Sequence, residues 1–199
     1  MANEQRKPAG AAVLQETVTA AITSAMFDQL AEIGYARMSM DAVARRAGVG
    51  KAAVYRRWPS KQAMLIDLVG ASILNNLPEV PDTGSLAGDV RGFLDVIVKQ
   101  VADPRTKRIA LDVLVETTRI PELADALHDV VDRPRRTAAA AVLTRAVERG
   151  ELSADIDREL SLDLLVSPLL LRLLRTDDEV DEAYLARLTK VIVAGLDAA

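Results

Sequence analysis

Residues Ser39 to Lys61 read SMDAVARRAGVGKAAVYRRWPSK. Two short stretches with helical spacing lie here on either side of Gly48, Val49 and Gly50, and Pro59 closes the second. Ser39 stands where a helix N-cap is wanted, ahead of a helix predicted over residues 40–47 with Asp41 in its first turn. Gly48 supplies the positive φ of the turn. A second helix is predicted over residues 51–58, and Ser60 caps the next. Ala44 and Ala47 are small enough for the two helices to cross closely, and Val43, Val49 and Val54 supply a core between them. Two short helices joined by a glycine-containing turn form a helix-turn-helix, whose second helix enters the major groove of DNA.

The charge agrees with the motif. The chain has a formal net charge of −4, yet residues 45–61 hold six cationic side chains and no acidic one. Residues 1–75 carry nine Lys/Arg against six Asp/Glu, and the remainder sixteen against twenty-three. Such asymmetry suggests a polyanion met at one end only.

Placing residues 51–58 on a wheel at ~100° per residue assigns their faces. With Val54 toward the core, Trp58 lies beside it as a core residue, and Ala52 and Arg56 point away. Tyr55 and Ala53 flank that outer face, with Lys51 and Arg57 at its margins. A face floored by alanine lets the backbone approach base edges, and Arg56 can contact a guanine bidentately. Lys51, Arg57 and the Tyr55 hydroxyl would meet phosphates, which set register without reading sequence. Arg45 and Arg46, on the preceding helix, are placed between phosphate contact and plain solvation. Lys61 is unfavourable for the dipole of the helix it opens, and a phosphate held by it and by the free backbone N–H groups would explain it.

The rest of the chain is predicted helical, since periods of three and four recur from Val18 onward. A mobile arm over residues 1–14, with Arg6 and Lys7 able to follow a minor groove, precedes a helix over 15–33 stopped by Gly34. That helix carries Val18, Ile22, Ala25, Met26, Leu30 and Ile33 on one stripe. The DNA-binding domain is set at 15–59, a connecting helix at 60–76, and a second helical domain at 77–199, after a Pro/Gly-rich boundary near 76–85. Its helices are expected at 86–102, 105–119, 121–149, 157–175 and 180–196. The third of these holds one phase through Leu123, Leu127, Val130, Ala138, Ala141 and Val142, as a single helix kinked by Pro134.

Composition narrows the function. The chain has no cysteine and one histidine, which removes disulfide frameworks, thiolate nucleophiles and the usual zinc sites. No paired-carboxylate signature, glycine-rich phosphate loop or nucleophile with a recognisable base is present, so neither an enzyme nor a cofactor is expected. The longest apolar run, residues 164–174, falls short of the ~20 residues that span a bilayer, and the N-terminus lacks a signal peptide's apolar centre. A soluble cytoplasmic protein without a membrane partner is expected. A helical adaptor that has lost DNA recognition would show acidic residues on the outer face of residues 51–58, and Ala52, Arg56 and Arg57 show the reverse.

The segment AEIGYARMSMDAVARRAGVGKAAVYRRWPSKQAML, residues 31–65, resembles the DNA-binding domain of TetR-family regulators. The matching positions are Gly34 and Tyr35, Ser39, Ala47 to Val49, Tyr55, Trp58, and Ser60 with Lys61. Gly50 and Ala53 depart from the family's usual hydroxyl-bearing residues. The resemblance implies an all-α fold: a three-helix helix-turn-helix domain followed by a helical ligand-binding and dimerisation domain. It also implies a homodimer on a palindromic operator, most often a repressor, released by a small molecule. It assigns the last two helices to the dimer interface. The residues agree, since Leu160 to Leu174 is apolar nearly all round and must be covered on every side. Val180, Tyr184, Leu188, Val191, Ile192 and Leu196 stripe the last helix. For a mostly apolar effector pocket with a few polar groups, the candidates are Phe93, Thr117, Thr118, His128 and Arg172.

Overall fold

A computed structural model describes residues 10–75, 80–101, 103–176 and 178–199, with side chains omitted for residues 10–14 and 75. Among them every regular element is a helix. The chain divides into two compact units, residues 1–68 and 69–199, so the division falls inside the fourth helix. None of these helices is long and apolar enough to cross a membrane.

The first unit is built on α1 (Gly10–Arg37), α2 (Met40–Arg46), α3 (Lys51–Tyr55) and the start of α4 (Lys61–Asn75). Of the expected arm, residues 1–9, with Arg6 and Lys7, lie outside the described residues, and residues 10–14 are helical. At Gly34 the backbone leaves the helix with φ 76°, and one further turn runs to Arg37. Ile22, Ala25, Met26 and Leu30 of the expected stripe are buried, while Ile33 lies at the surface. They pack with Tyr35, Met38, Met40, Val43, Ala44, Val54, Trp58, Met64, Leu65 and Leu68 as the buried apolar residues of this unit.

The second unit comprises α5 (Leu86–Val101), α6 (Pro104–Thr117), α7 (Pro121–Leu127), α8 (Arg133–Glu148), α9 (Arg158–Arg175) and α10 (Glu182–Asp197), with a π-helical turn, His128–Asp132, between α7 and α8. Carboxylate N-caps open three of them: Asp103 accepts from Thr106 N, Asp157 from Leu160 N and Asp181 from Tyr184 N. The core is made by Val90, Phe93, Leu94 and Ile97 of α5, Ala139, Val142, Leu143 and Ala146 of α8, Leu162, Leu165 and Leu169 of α9, and Leu185, Ile192 and Leu196 of α10.

Beside this core, Asp89 is fully buried. Its Oδ1 accepts from Thr83 N at 2.7 Å and Thr83 Oγ1 at 2.8 Å, and its Oδ2 from Arg145 Nε and Arg149 Nη2, both at 3.1 Å. Burial pushes the carboxyl up, but these donors together outweigh it and hold its pKa at about 2.

Two sequence expectations need correction. Residues 121–148 form one continuous helical run, but its interruption is the π turn, which precedes Pro134. A π turn inserts one extra residue and rotates all that follows by about a third of a turn. The buried positions are therefore Arg135, Ala139, Val142, Leu143 and Ala146 rather than Ala138 and Ala141. On α10 the buried stripe is Leu185, Thr189, Ile192 and Leu196. Tyr184 and Leu188 are half-buried and Val191 is 64% exposed, because the sequence pattern merged two faces of one helix.

Candidate nucleic-acid interface

The turn between α2 and α3 ends α2 with paired bonds, Val49 N to Ala44 O at 3.0 Å and Gly48 N to Arg45 O at 3.3 Å. Gly48 has φ 68°, the left-handed conformation this capping pattern needs. Ser39 caps α2, its Oγ accepting from Ala42 N at 3.2 Å, which uses a lone pair of the hydroxyl assigned to DNA and leaves its O–H to donate. Val43 and Val54 are fully buried, and Val49 and Ala47 are half-buried.

α3 is shorter than the predicted 51–58, because the backbone tightens to an i−3 bond at Arg57 before Pro59 stops it. Arg56 still holds helical φ/ψ, and Arg57 N and Trp58 N both donate to Val54 O at 3.0 Å. The wheel therefore describes the faces. Val54 is fully buried and Trp58 nearly so, its Nε1 donating to Asp67 Oδ2 at 2.7 Å, while Ala52 and Arg56 are exposed and Ala53 is half-buried.

The cations have different surroundings. Arg46 is bonded bidentately to Glu32 of α1, both distances 2.7 Å, and reaches Asp28 at 3.2 Å. It ties α2 to α1, which is neither of the roles expected of it. Lys51 pairs with Asp41 of α2, and Tyr55 donates its hydroxyl to the same carboxylate at 3.2 Å. Asp41 is held below the usual carboxylate range by the Lys51 hydrogen bond first and also by Tyr55, and Tyr55 is pushed up mainly by its bond to Asp41. Arg57 donates to its own helix at Ala53 O, 3.2 Å. Arg45 and Arg56 are exposed and make neither a hydrogen bond nor an ion pair to a described residue. Asp41, read from sequence only as a dipole partner, thus organises Lys51 and Tyr55. Its i to i+10 and i+14 separations carry no local signal.

Lys61 has a structural task that the sequence reading missed. Its Nζ donates to Tyr35 O at 2.8 Å and Ala36 O at 3.3 Å and lies 4.3 Å from the Tyr35 ring centroid. The lysine that is wrong for its own helix dipole is right for the carboxyl end of α1. Lys61→Met is expected to cost about 1–2 kcal/mol of stability, read as a lower urea midpoint at unchanged slope.

The five residues assigned to an effector lie in different surroundings. Phe93 is 1% exposed within the core. Thr117 and Thr118 donate their hydroxyls to Leu114 O and Val115 O of their own helix, each at 2.7 Å. His128 is at the surface, 3.6 Å from Asp132. Arg172 stacks 4.4 Å over Tyr184 and bonds Asp178 at 3.3 Å. A separate depression of about 330 Å³ is lined by Leu86, Leu152, Thr189 and Val193 among others.

Comparison with known proteins agrees with this architecture. Residues 22–68 match the family described as "Bacterial regulatory proteins, tetR family", and residues 80–192 match "Tetracyclin repressor-like, C-terminal domain". The HTH-type transcriptional regulator YdeS of Bacillus subtilis strain 168 is 32% identical over 178 residues, 89% of either chain. A DNA-binding transcriptional repressor TetR of Mycobacteroides abscessus is 31% identical over 87% of this chain and 90% of its own. The crystal structure of the TetR family transcription regulator SCO0332 superposes with a TM-score of 0.68 at 29% identity, covering 89% of this chain and 97% of that one.

Proposed function

The chain belongs to the TetR family of helix-turn-helix transcriptional regulators, and from that premise we propose that it is a repressor which binds a palindromic operator as a homodimer and leaves it when a small, largely apolar molecule enters its C-terminal domain. It acts in the cytoplasm on duplex DNA. The observation that carries the reading is the outer face of α3, where exposed Arg56 has no carboxylate partner among the described residues and stands one turn from exposed Ala52. Most other cations of this unit are held by protein groups, so Arg56 is the one best placed to exchange water for a guanine edge. Lys51, Tyr55 and Arg57 lie beside it and exchange exposed protein partners for phosphates at little cost, since surface ion pairs are weak. Arg45 adds a further phosphate contact, and Ser39, Ala53 and Lys61 complete the surface.

Dimerisation supplies the second half-site. α9 buries Leu162, Leu165 and Leu169 in its own domain, yet leaves Leu160 and Leu171 more than half exposed, and α10 presents Val191 likewise. Exposed leucine and valine on adjacent helices favour a second copy as cover.

The test is selection from randomised duplexes, followed by binding of the enriched palindrome. Arg56→Ala is expected to weaken that complex by about 1–3 kcal/mol and to relax preference at one base position in each half-site. Failure to enrich any motif would sink the proposal, and weaker binding with unaltered preference would remove Arg56 from base readout.

A further inference from the structure

Four arginines lie on α8, and three of them meet carboxylates. Arg133 bonds Asp129 at 2.5 Å, Arg136 bonds Glu159 at 2.5 Å and Asp163 at 2.7 Å, and Arg145 bonds Asp89 at 3.1 Å. Arg135 does not. It is 9% exposed, and its single hydrogen bond among the described residues runs from Nε to the neutral Gln100 Oε1 of α5 at 3.3 Å. Asp132, one turn earlier, attracts it only from a distance, and burial holds the guanidinium below its ordinary pKa despite that attraction.

An almost buried cation without a counter-charge is costly, and such groups are normally paired. The π turn is what places it there. Without the extra residue of His128–Asp132, the inward phase of this run would pass through Ala138, and Arg135 would face elsewhere. Single π turns inside longer helices occur frequently at functional sites. Among the described residues, the sealed side-chain polar atoms without a partner are Gln29 Oε1, Ser161 Oγ and Arg172 Nε. The terminal nitrogens of Arg135, unbonded yet not among them, therefore reach accessible space. The interior around these positions is apolar: Ile97 and Val101, on either side of Gln100, are buried, as is Ala139 one turn beyond Arg135.

We propose that Arg135 is the anchor of an effector site in the second unit, and that the effector is an apolar molecule bearing a carboxylate. The inference rests on the reading that this unit takes a small-molecule effector. The planar fork of a guanidinium accepts a carboxylate through two parallel hydrogen bonds, and the surrounding aliphatic side chains receive the body of the molecule. The protein supplies the cation and the ligand the missing charge.

The experiment uses the full chain and a graded panel of carboxylates (hexanoate, decanoate, benzoate and 2-naphthoate), each against its primary amide, by calorimetric titration. At least one acid is expected to bind wild type about tenfold or more tightly than its amide, and Arg135→Met to weaken that acid roughly ten- to a hundredfold while leaving the amide unchanged. Without acid, Arg135→Met should melt at or above the wild-type temperature, because an unpaired buried charge has been removed. An arginine kept only for packing would instead lower it. Arg135→Lys, which retains charge and stem but not the fork, should lose part of the same preference and serves if the methionine variant does not accumulate. Equal binding of acids and amides, no acid binding at all, or undiminished acid binding by the variants overturns the assignment. Operator binding by the same wild-type preparation separates the two readings: if it is intact while the acid arms fail, only this inference falls.

Discussion

Leu171→Asp is expected to leave the chain folded but monomeric at micromolar concentration, with operator affinity lower by roughly a hundred- to a thousandfold. Leu171 is 53% exposed on α9, a helix whose opposite side is locked into its own core through Leu165 and Leu169. A carboxylate there leaves the isolated subunit intact, because the position contributes little to the internal core. In a dimer it would be buried without a partner, and the loss of one half-site removes the contacts of a whole recognition helix. Val191→Asp on α10, where the side chain is 64% exposed, should behave alike. Leu114→Asp, at a site 54% exposed on α6, is the control that stays dimeric. Sedimentation velocity distinguishes these outcomes, and a dimer that survives both substitutions would mean that another surface joins the copies.

Asp89→Ala should be the most damaging single change to the second unit, at about 3–5 kcal/mol. The substitution leaves Arg145 and Arg149 without the buried carboxylate they share, deprives the N–H of Thr83 of its acceptor and leaves the Thr83 hydroxyl only the longer bond to Ser85 O. Asp82 and Glu151 remain as partners of Arg149 at 3.2 and 2.5 Å, so the guanidinium is not abandoned, and Asp89→Asn is expected at the lower end of the range. The wild-type acid response follows from the same site. Its folded pKa, about 2, is depressed below the ordinary aspartate value. The carboxylate's contribution is therefore fully present above about pH 4 and is lost as pH falls toward 2. Urea unfolding across that interval should show a fall in stability that Asp89→Asn lacks. A midpoint shift of less than half a molar for Asp89→Ala would show that the remaining charges suffice.

Much of the fold was legible because it depends on near neighbours. Ser39, Ser60 and Gly48 announce helix ends through bonds spanning three to five residues, and the spacing of Val54 and Trp58 against Ala52 and Arg56 places one face of α3 inward and the other outward. What failed was whatever depended on distant partners or on an irregular turn. Lys61 is explained by carbonyls 25 and 26 residues earlier, Arg46 by Glu32 and Asp28, and Lys51 by Asp41. One inserted residue in the π turn moved Arg135, which had drawn no attention, into the interior.

The order of residues alone therefore determined that the chain is helical, where a helix-turn-helix lies and which side of its second helix looks outward, because periodicity and capping act within a turn or two of backbone. Which cations are bound by protein and which stay available, and that one arginine is enclosed without a paired carboxylate among the described residues, was decided by the tertiary structure. A charge is satisfied by whatever comes within a few ångströms, and proximity between residues far apart in the chain exists only after folding.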